Sequence, residues 1–234
     1  MSRRTDGRAG PDAAKGLVAH DRARHLLPTE RVKAFIDAVV AIAMTLLILP
    51  LMEGVIELGR EGKTVLEYLD DDGDQIVSFL MSFVLIANFW LNHHRTFDRV
   101  GRTDPALLWL AVLWMLSIVW LPVPTAMLGA MPTDTVQKVV YIGSLLLTAL
   151  IMLAIRVYLR RHRDLHDVPD ADLRSGVIAE SLVCVLFVVA GLVAVLVPAI
   201  GYFAMFLVVL VMPLHRLVNA RVVRRERETT PPGR

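Results

Sequence analysis

Arg31-Val-Lys-Ala-Phe35-Ile36-Asp37 runs directly into fifteen residues that carry no charge, Ala38–Met52. An acidic side chain is thus set just inside a stretch that reads as a membrane-crossing helix. Ionisable groups in hydrocarbon are costly and face a protein interior or a wet cavity, so Asp37 points either to ion handling or to obligatory helix packing.

The rest of the chain agrees with a membrane setting. Its 234 residues are 55% hydrophobic and its mean hydropathy is +0.55, which is too apolar for an ordinary soluble domain. Runs free of Asp, Glu, Lys and Arg recur at Gln75–Asn92, Pro105–Thr133, Val139–Ile155 and Ser181–Leu214, and one crossing takes about 20 residues. The last run is too long for a single helix, and Pro198 and Gly201 divide it. An all-α integral membrane protein with six transmembrane helices is therefore expected. The single cysteine, Cys184, lies in the fifth span and leaves neither a disulfide framework nor a cysteine-based metal site to read. The polar first 33 residues and the long apolar run behind them predict no cleavable signal. Ser2-Arg3-Arg4 has no apolar stretch close behind it, as a twin-arginine signal needs.

Basic residues orient the spans. Seven lie in the amino-terminal arm up to Arg31, three in the second connection (Arg95, Arg99, Arg102), five in the fourth (Arg156, Arg160, Arg161, Arg163, Arg174) and six in the tail from Arg216. The first connection has only Arg60 and Lys63, the third has none before Lys138, and the fifth has none. Cytoplasmic loops accumulate Lys and Arg, so both termini are placed in the cytoplasm of a multi-pass plasma-membrane protein. The expected organisation is a basic arm over 1–30, a six-helix domain over 31–218 and a basic tail over 219–234. The net charge of +2 hides an acidic outer loop with Glu53, Glu57, Glu61, Glu67, Asp70, Asp71, Asp72 and Asp74. Such a loop either concentrates cations at a mouth or is a solvated segment whose acids favour a helix amino end. The arginines are not interleaved with aromatic residues, which argues against nucleic-acid binding.

At 100° per residue Ala38, Ile42, Thr45, Leu46 and Leu49 form one stripe of the first helix, with Asp37 about 140° from Ile42. Ala34, Ala38, Ala41 and Ala43 let other helices approach closely. By itself such a stripe is usually just a packing face. Asn88, Asn92 and His93 of the second span and Trp109 of the third fall at the depth of Asp37 and are candidate partners in a structural network around it.

The stretch from Arg31 through Phe35, Ile36 and Asp37 to Thr45 and Leu49 resembles the opening helix of the endosomal and lysosomal potassium channel family, transmembrane protein 175, whose signature is (R/K)xxxFSD. Phe89-Trp90-Leu-Asn92-His93-His94-Arg95 and Leu121-Pro122-Val-Pro124-Thr125 extend the resemblance over about the first 130 residues. It implies a six-helix protomer, assembled as a homotetramer in bacterial members, whose first helices line a central potassium pathway. The family's constriction of large apolar residues and a nearby threonine matches Ile42, Leu46, Leu49 and Thr45. Ile36 stands where the family has serine, removing a hydroxyl from the signature network.

With apolar tips in the ring, helical carbonyls already hydrogen-bonded and no TVGYG-like loop, a carbonyl filter is not expected. Closure by dewetting and modest potassium selectivity are. No arginine-repeat helix is present to sense voltage, so the conductance is expected to be leak-like. The alternative is a secondary transporter or proton-coupled carrier using Asp37, which predicts internal repeats and interrupted helices at matching positions. A metal held by His93, His94 and Asp98 is the weakest reading, since histidines at a helix end more often cap or pack. No nucleophile motif or phosphate-binding loop supports an enzyme, and no cofactor is implied. Potassium ions, the lipid bilayer and further copies of the chain are the expected partners.

Overall fold

The computed structural model describes residues 27–71, 73–132 and 134–196. Helix α1 (Thr29–Leu46) leads into α2 (Leu49–Arg60), followed by the short α3 (Val65–Asp71), α4 (Gly73–Phe97), α5 (Pro105–Trp120), α6 (Pro122–Ala130), α7 (Thr135–Arg161) and α8 (Asp170–Leu196). Five helical stretches among the described residues are long and apolar enough to cross a membrane: Thr29–Arg60, Gly73–Phe97, Pro105–Ala130, Thr135–Arg161 and Asp170–Leu196. The sixth expected span, like the basic arm up to residue 26 and the tail, lies outside the described residues.

Prolines punctuate two of these stretches. Pro50 has no N–H for the Leu46 carbonyl, and α1 stops there. The Ile48 N–H turns back to the Thr45 carbonyl at 3.3 Å, and regular bonding resumes when the Met52 N–H reaches the Ile48 carbonyl at 3.0 Å. The uninterrupted first helix expected over Ala38–Met52 is therefore broken at Leu47 and Ile48. Pro122 and Pro124 act similarly on the third stretch, where the Leu121 N–H bonds the Ile118 carbonyl at 3.1 Å. Elsewhere the starts are capped: Asp104 accepts from the Leu107 N–H at 2.9 Å and Asp134 from the Gln137 N–H at 2.6 Å, satisfying donors that a helix start leaves free.

Three segments meet at one end of the bundle. Strand β1 (Leu27–Pro28) pairs antiparallel with β2 (Arg102–Thr103), and Val100 bridges His166 in the connection between α7 and α8. The start of α1 and the second and fourth connections thus share an end, as their common excess of arginine predicted.

Helices α7 and α8 pack along their length, α5 lies on α7, α6 on α4, and α1 on both α4 and α5. Trp114, Tyr141, Phe97 and Phe187 fill the middle with Ile36, Leu47, Leu85 and Ile118. Apolar packing alone is a weak glue where lipid is the solvent, so buried hydroxyls are informative. Ser82 Oγ lies 2.9 Å from both Tyr141 Oη and Thr125 Oγ1, joining α4, α6 and α7. Replacing Tyr141 by Phe is expected to destabilise the protein by about 1 kcal/mol. Thermal unfolding in detergent would read this, and an unchanged midpoint would show that the hydroxyl triad contributes nothing.

Candidate functional site

The first span is two-faced. Ile36, Val40, Ala43 and Leu47 are buried against the protein's own core, while Ile42 is 60% exposed, Leu49 51% and Leu46 38%. Ala34, Phe35, Ala38, Ala41 and Thr45 lie on the same uncovered side. The Thr45 hydroxyl donates to the Ile42 carbonyl at 2.7 Å, which ties its proton to the helix and leaves oxygen lone pairs outward. The uncovered line continues on α2 through Glu53 and Glu57, spaced four residues apart beyond Leu49, so apolar rings give way to carboxylates along one face.

Asp37 is half-buried at the side of this stripe. It accepts a 2.7 Å hydrogen bond from Trp90 Nε1 of α4, and His94 Nδ1 is 3.9 Å away. The His94 ring lies against Trp90 with centroids 5.5 Å apart, and its Nε2 is 3.7 Å from Asp98. Lys33 Nζ reaches Asp98 at 3.5 Å and Glu30 at 3.2 Å. Trp90 and His94 were not singled out by the depth argument. They precede and follow Asn92 by two, on the side of α4 that faces α1.

The residues that were singled out are distributed differently. Asn88 Nδ2 donates to its own helix at the Val84 carbonyl, 3.0 Å. His93 is buried between the rings of Phe97 and Trp114, with centroids 4.3 and 4.2 Å apart, and its Nε2 has no hydrogen-bond partner. Trp109 is 73% exposed on α5, and Arg31 and Phe35 are exposed on α1. Asn92 turns away from Asp37: its amide donates to Glu180 at 2.6 Å and its carbonyl oxygen accepts from Arg156 Nη2 at 2.6 Å. No group of three His, Cys, Asp or Glu able to hold a metal occurs among the described residues.

Glu180, only 3% exposed, pairs with Arg156 Nε at 3.4 Å, and the guanidinium lies so close to Gly176 that a Cβ there would meet Nη1. The sequence reading placed Arg156 in a loop. It lies inside α7, which runs on to Arg161, and Glu180 lies ten residues into α8. The available signal was their position at the borders of apolar runs, one of each sign, on consecutive spans.

Comparison with known proteins bears on this arrangement. The profile of the endosomal/lysosomal potassium channel TMEM175 matches residues 31–122, the segment that contains the stripe, Asp37, Trp90 and His94. Over these residues the chain is similar to the TMEM175 family. The chain is 34% identical over 129 residues to a potassium channel of Chamaesiphon minutus, covering 53% of the chain and 62% of that relative. It is 38% identical over 99 residues to a potassium channel of Streptomyces collinus, covering 42% and 47% respectively. It therefore spans about half to three-fifths of the curated relatives' length. The crystal structure of a lysosomal potassium-selective channel TMEM175 homolog from Chamaesiphon minutus superposes with a TM-score of 0.67 at 26% identity, over 80% of this chain and 96% of that one.

Two sets of substitutions probe the polar contacts. Glu180→Ala strands Arg156 and is expected to cost about 3–5 kcal/mol, whereas Arg156→Met combined with Glu180→Leu costs far less; equal losses in chemical unfolding would refute the pair. Asp37→Asn and Trp90→Phe are each expected to lower stability by about 1–3 kcal/mol and to be non-additive together, because they remove one shared hydrogen bond. Strict additivity would place their effects elsewhere.

Proposed function

We propose that the protein is a potassium-conducting, leak-like cation channel of the plasma membrane, a homotetramer of six-helix protomers with cytoplasmic termini. The stripe Ile42, Thr45, Leu46 and Leu49 lines its pore. The observation that carries this reading is the uncovered face of α1: the protomer buries Ile36, Val40, Ala43 and Leu47 and leaves the stripe to whatever surrounds it. Four copies around an axis would give each stripe its complement and enclose a path. The relatives named potassium channels and the potassium-selective neighbour support the same reading.

The mechanism follows from the side chains. Apolar rings at Ile42 and Leu46 make a narrow column that empties of water when it tightens, which closes the path without a moving lid. Cation preference comes from the ring radius, the outward lone pairs of Thr45 and the carboxylates of Glu53 and Glu57 at the outer end, which raise the local cation concentration. Asp37 does not sit in the path in this reading. Its bond to Trp90 and its neighbour His94 fix α1 against α4, and the signature residues Arg31 and Phe35, exposed in one protomer, lie where a neighbouring copy would meet them.

Reconstituted protein in potassium-loaded vesicles is expected to release potassium faster than sodium. Ile42→Ala and Leu49→Ala should change conductance or selectivity while the detergent-solubilised particle keeps the mass of four chains. Unaltered flux in both variants, or a monomeric particle that still conducts, would remove the pore assignment.

A further inference from the structure

Between α5 and α7 the bundle has a groove that no other described element covers. Leu113, Leu116 and Trp120 of α5 and Leu147 and Ile151 of α7 line a space of about 330 Å³ that is open along one side, and Leu116 is 64% and Leu147 51% exposed at its rim. The stretches Pro105–Ala130 and Thr135–Arg161 are 26 and 27 residues long, so at 1.5 Å per residue their centres, near Ser117 and Leu147, lie about 20 Å from either end. A hydrocarbon core about 30 Å thick puts both centres at the bilayer midplane. The groove is therefore out of reach of lipid headgroups and level with the methyl ends of the acyl chains.

Its wall fixes the chemistry of what can fill it. Ser117 Oγ donates to the Trp114 carbonyl at 2.7 Å, Ser144 Oγ to the Val140 carbonyl at 2.7 Å, and Trp120 Nε1 to Ser144 Oγ at 3.0 Å. Each donor is thus spent inside the protein, and a polar ligand would give up its own partners there without return. The space equals that of about eleven liquid waters, but an apolar wall does not hold water, whereas an alkyl chain suits it.

Azimuth removes other occupants. On α5 the buried residues Leu107, Ala111, Trp114 and Ile118 lie across the helix from Leu113, Leu116 and Trp120, and α1, which packs on α5, uses that covered side. On α7, Ile142 meets Gly191, and Arg156 meets Gly176 and Glu180, so α8 lies across the helix from Leu147 and Ile151. The groove faces away both from the stripe of α1 and from α8, where the chain leaves the described residues. Lipid is what remains on that side.

We propose that the groove is a binding site for the methyl end of one phospholipid acyl chain, which enters sideways from the bilayer and packs between α5 and α7. Its contacts with the wall replace those that a void would forfeit, and shape rather than charge selects it. Because α5 also carries α1, a filled groove braces α1 from behind. The site follows from the membrane setting and stands whether or not α1 lines a pore.

Photoreactive phospholipids test it. The protein is reconstituted in phosphatidylcholine vesicles containing a small share of lipid with a diazirine at the methyl end of one chain or, in a parallel set, beside the glycerol, and labelled residues are mapped by mass spectrometry after illumination. Wild type is compared with Leu147→Trp, whose indole fills the groove, and with Leu150→Trp, at the same depth on another side of α7 where the leucine is 45% exposed. In the wild type the methyl-end probe is expected to label groove residues about fourfold or more above Leu150, the preference that one buried methylene confers. Leu150→Trp keeps the groove labelling and Leu147→Trp loses it. Even labelling at one depth, an excess that survives Leu147→Trp, or groove labelling by the glycerol-side probe overturns the proposal. So does a groove that stays unlabelled, which would assign it to the chain's own carboxy-terminal residues or to a second copy. Should Leu147→Trp not fold, Leu116→Trp fills the same groove from α5 and carries the same expectation and the same refutation.

Discussion

The structure depends on α1 being buried on one side only. Ile36, Val40, Ala43 and Leu47 follow a three- and four-residue spacing that packs against α4 and α5, and every other feature of the site is arranged around the side this leaves open. In water an uncovered apolar stripe would be a defect. In a bilayer it is neutral toward lipid and becomes informative through its company: exposed alanines that permit close approach and a threonine with outward lone pairs.

Helix α4 is the element that holds α1 to the rest. One side of it presents Trp90 and His94 to Asp37, another presents Asn92 to Arg156 and Glu180, and a third presents Ser82 to Thr125 and Tyr141. Each contact joins α4 to a different set of helices, so the bundle is tied by polar groups distributed along one helix. This distribution matches the physics of the medium, in which apolar contacts do not discriminate between protein and lipid while an unpaired polar group does. Ile36 fits the same logic: it is completely buried, so its alkyl group fills the core where a hydroxyl would need a partner.

Much of the fold was legible in the sequence because the membrane enforces simple rules. Runs of uncharged residues marked the described spans, and the clustering of arginines correctly grouped the start of α1 with the second and fourth connections, which β1, β2 and the Val100–His166 bridge bring together. The angular stripe on the first helix was legible for the same reason, since helical spacing fixes which residues share a face. The partners of Asp37 were not. Equal depth selected Asn88, Asn92, His93 and Trp109, but depth carries no information about azimuth, and azimuth put Trp90 and His94 opposite the acid.

Sequence by itself therefore determined the helical class, the described spans, the common end of the arginine-bearing connections and the stripe, all of which follow from local periodicity and from the cost of charge in hydrocarbon. Tertiary structure decided which side of α1 is covered, which polar groups meet, and that Arg156 forms a buried pair with Glu180 rather than lying in a connection. Those outcomes depend on the rotation of each helix about its own axis and on the fit of non-adjacent side chains, quantities that a one-dimensional pattern leaves free.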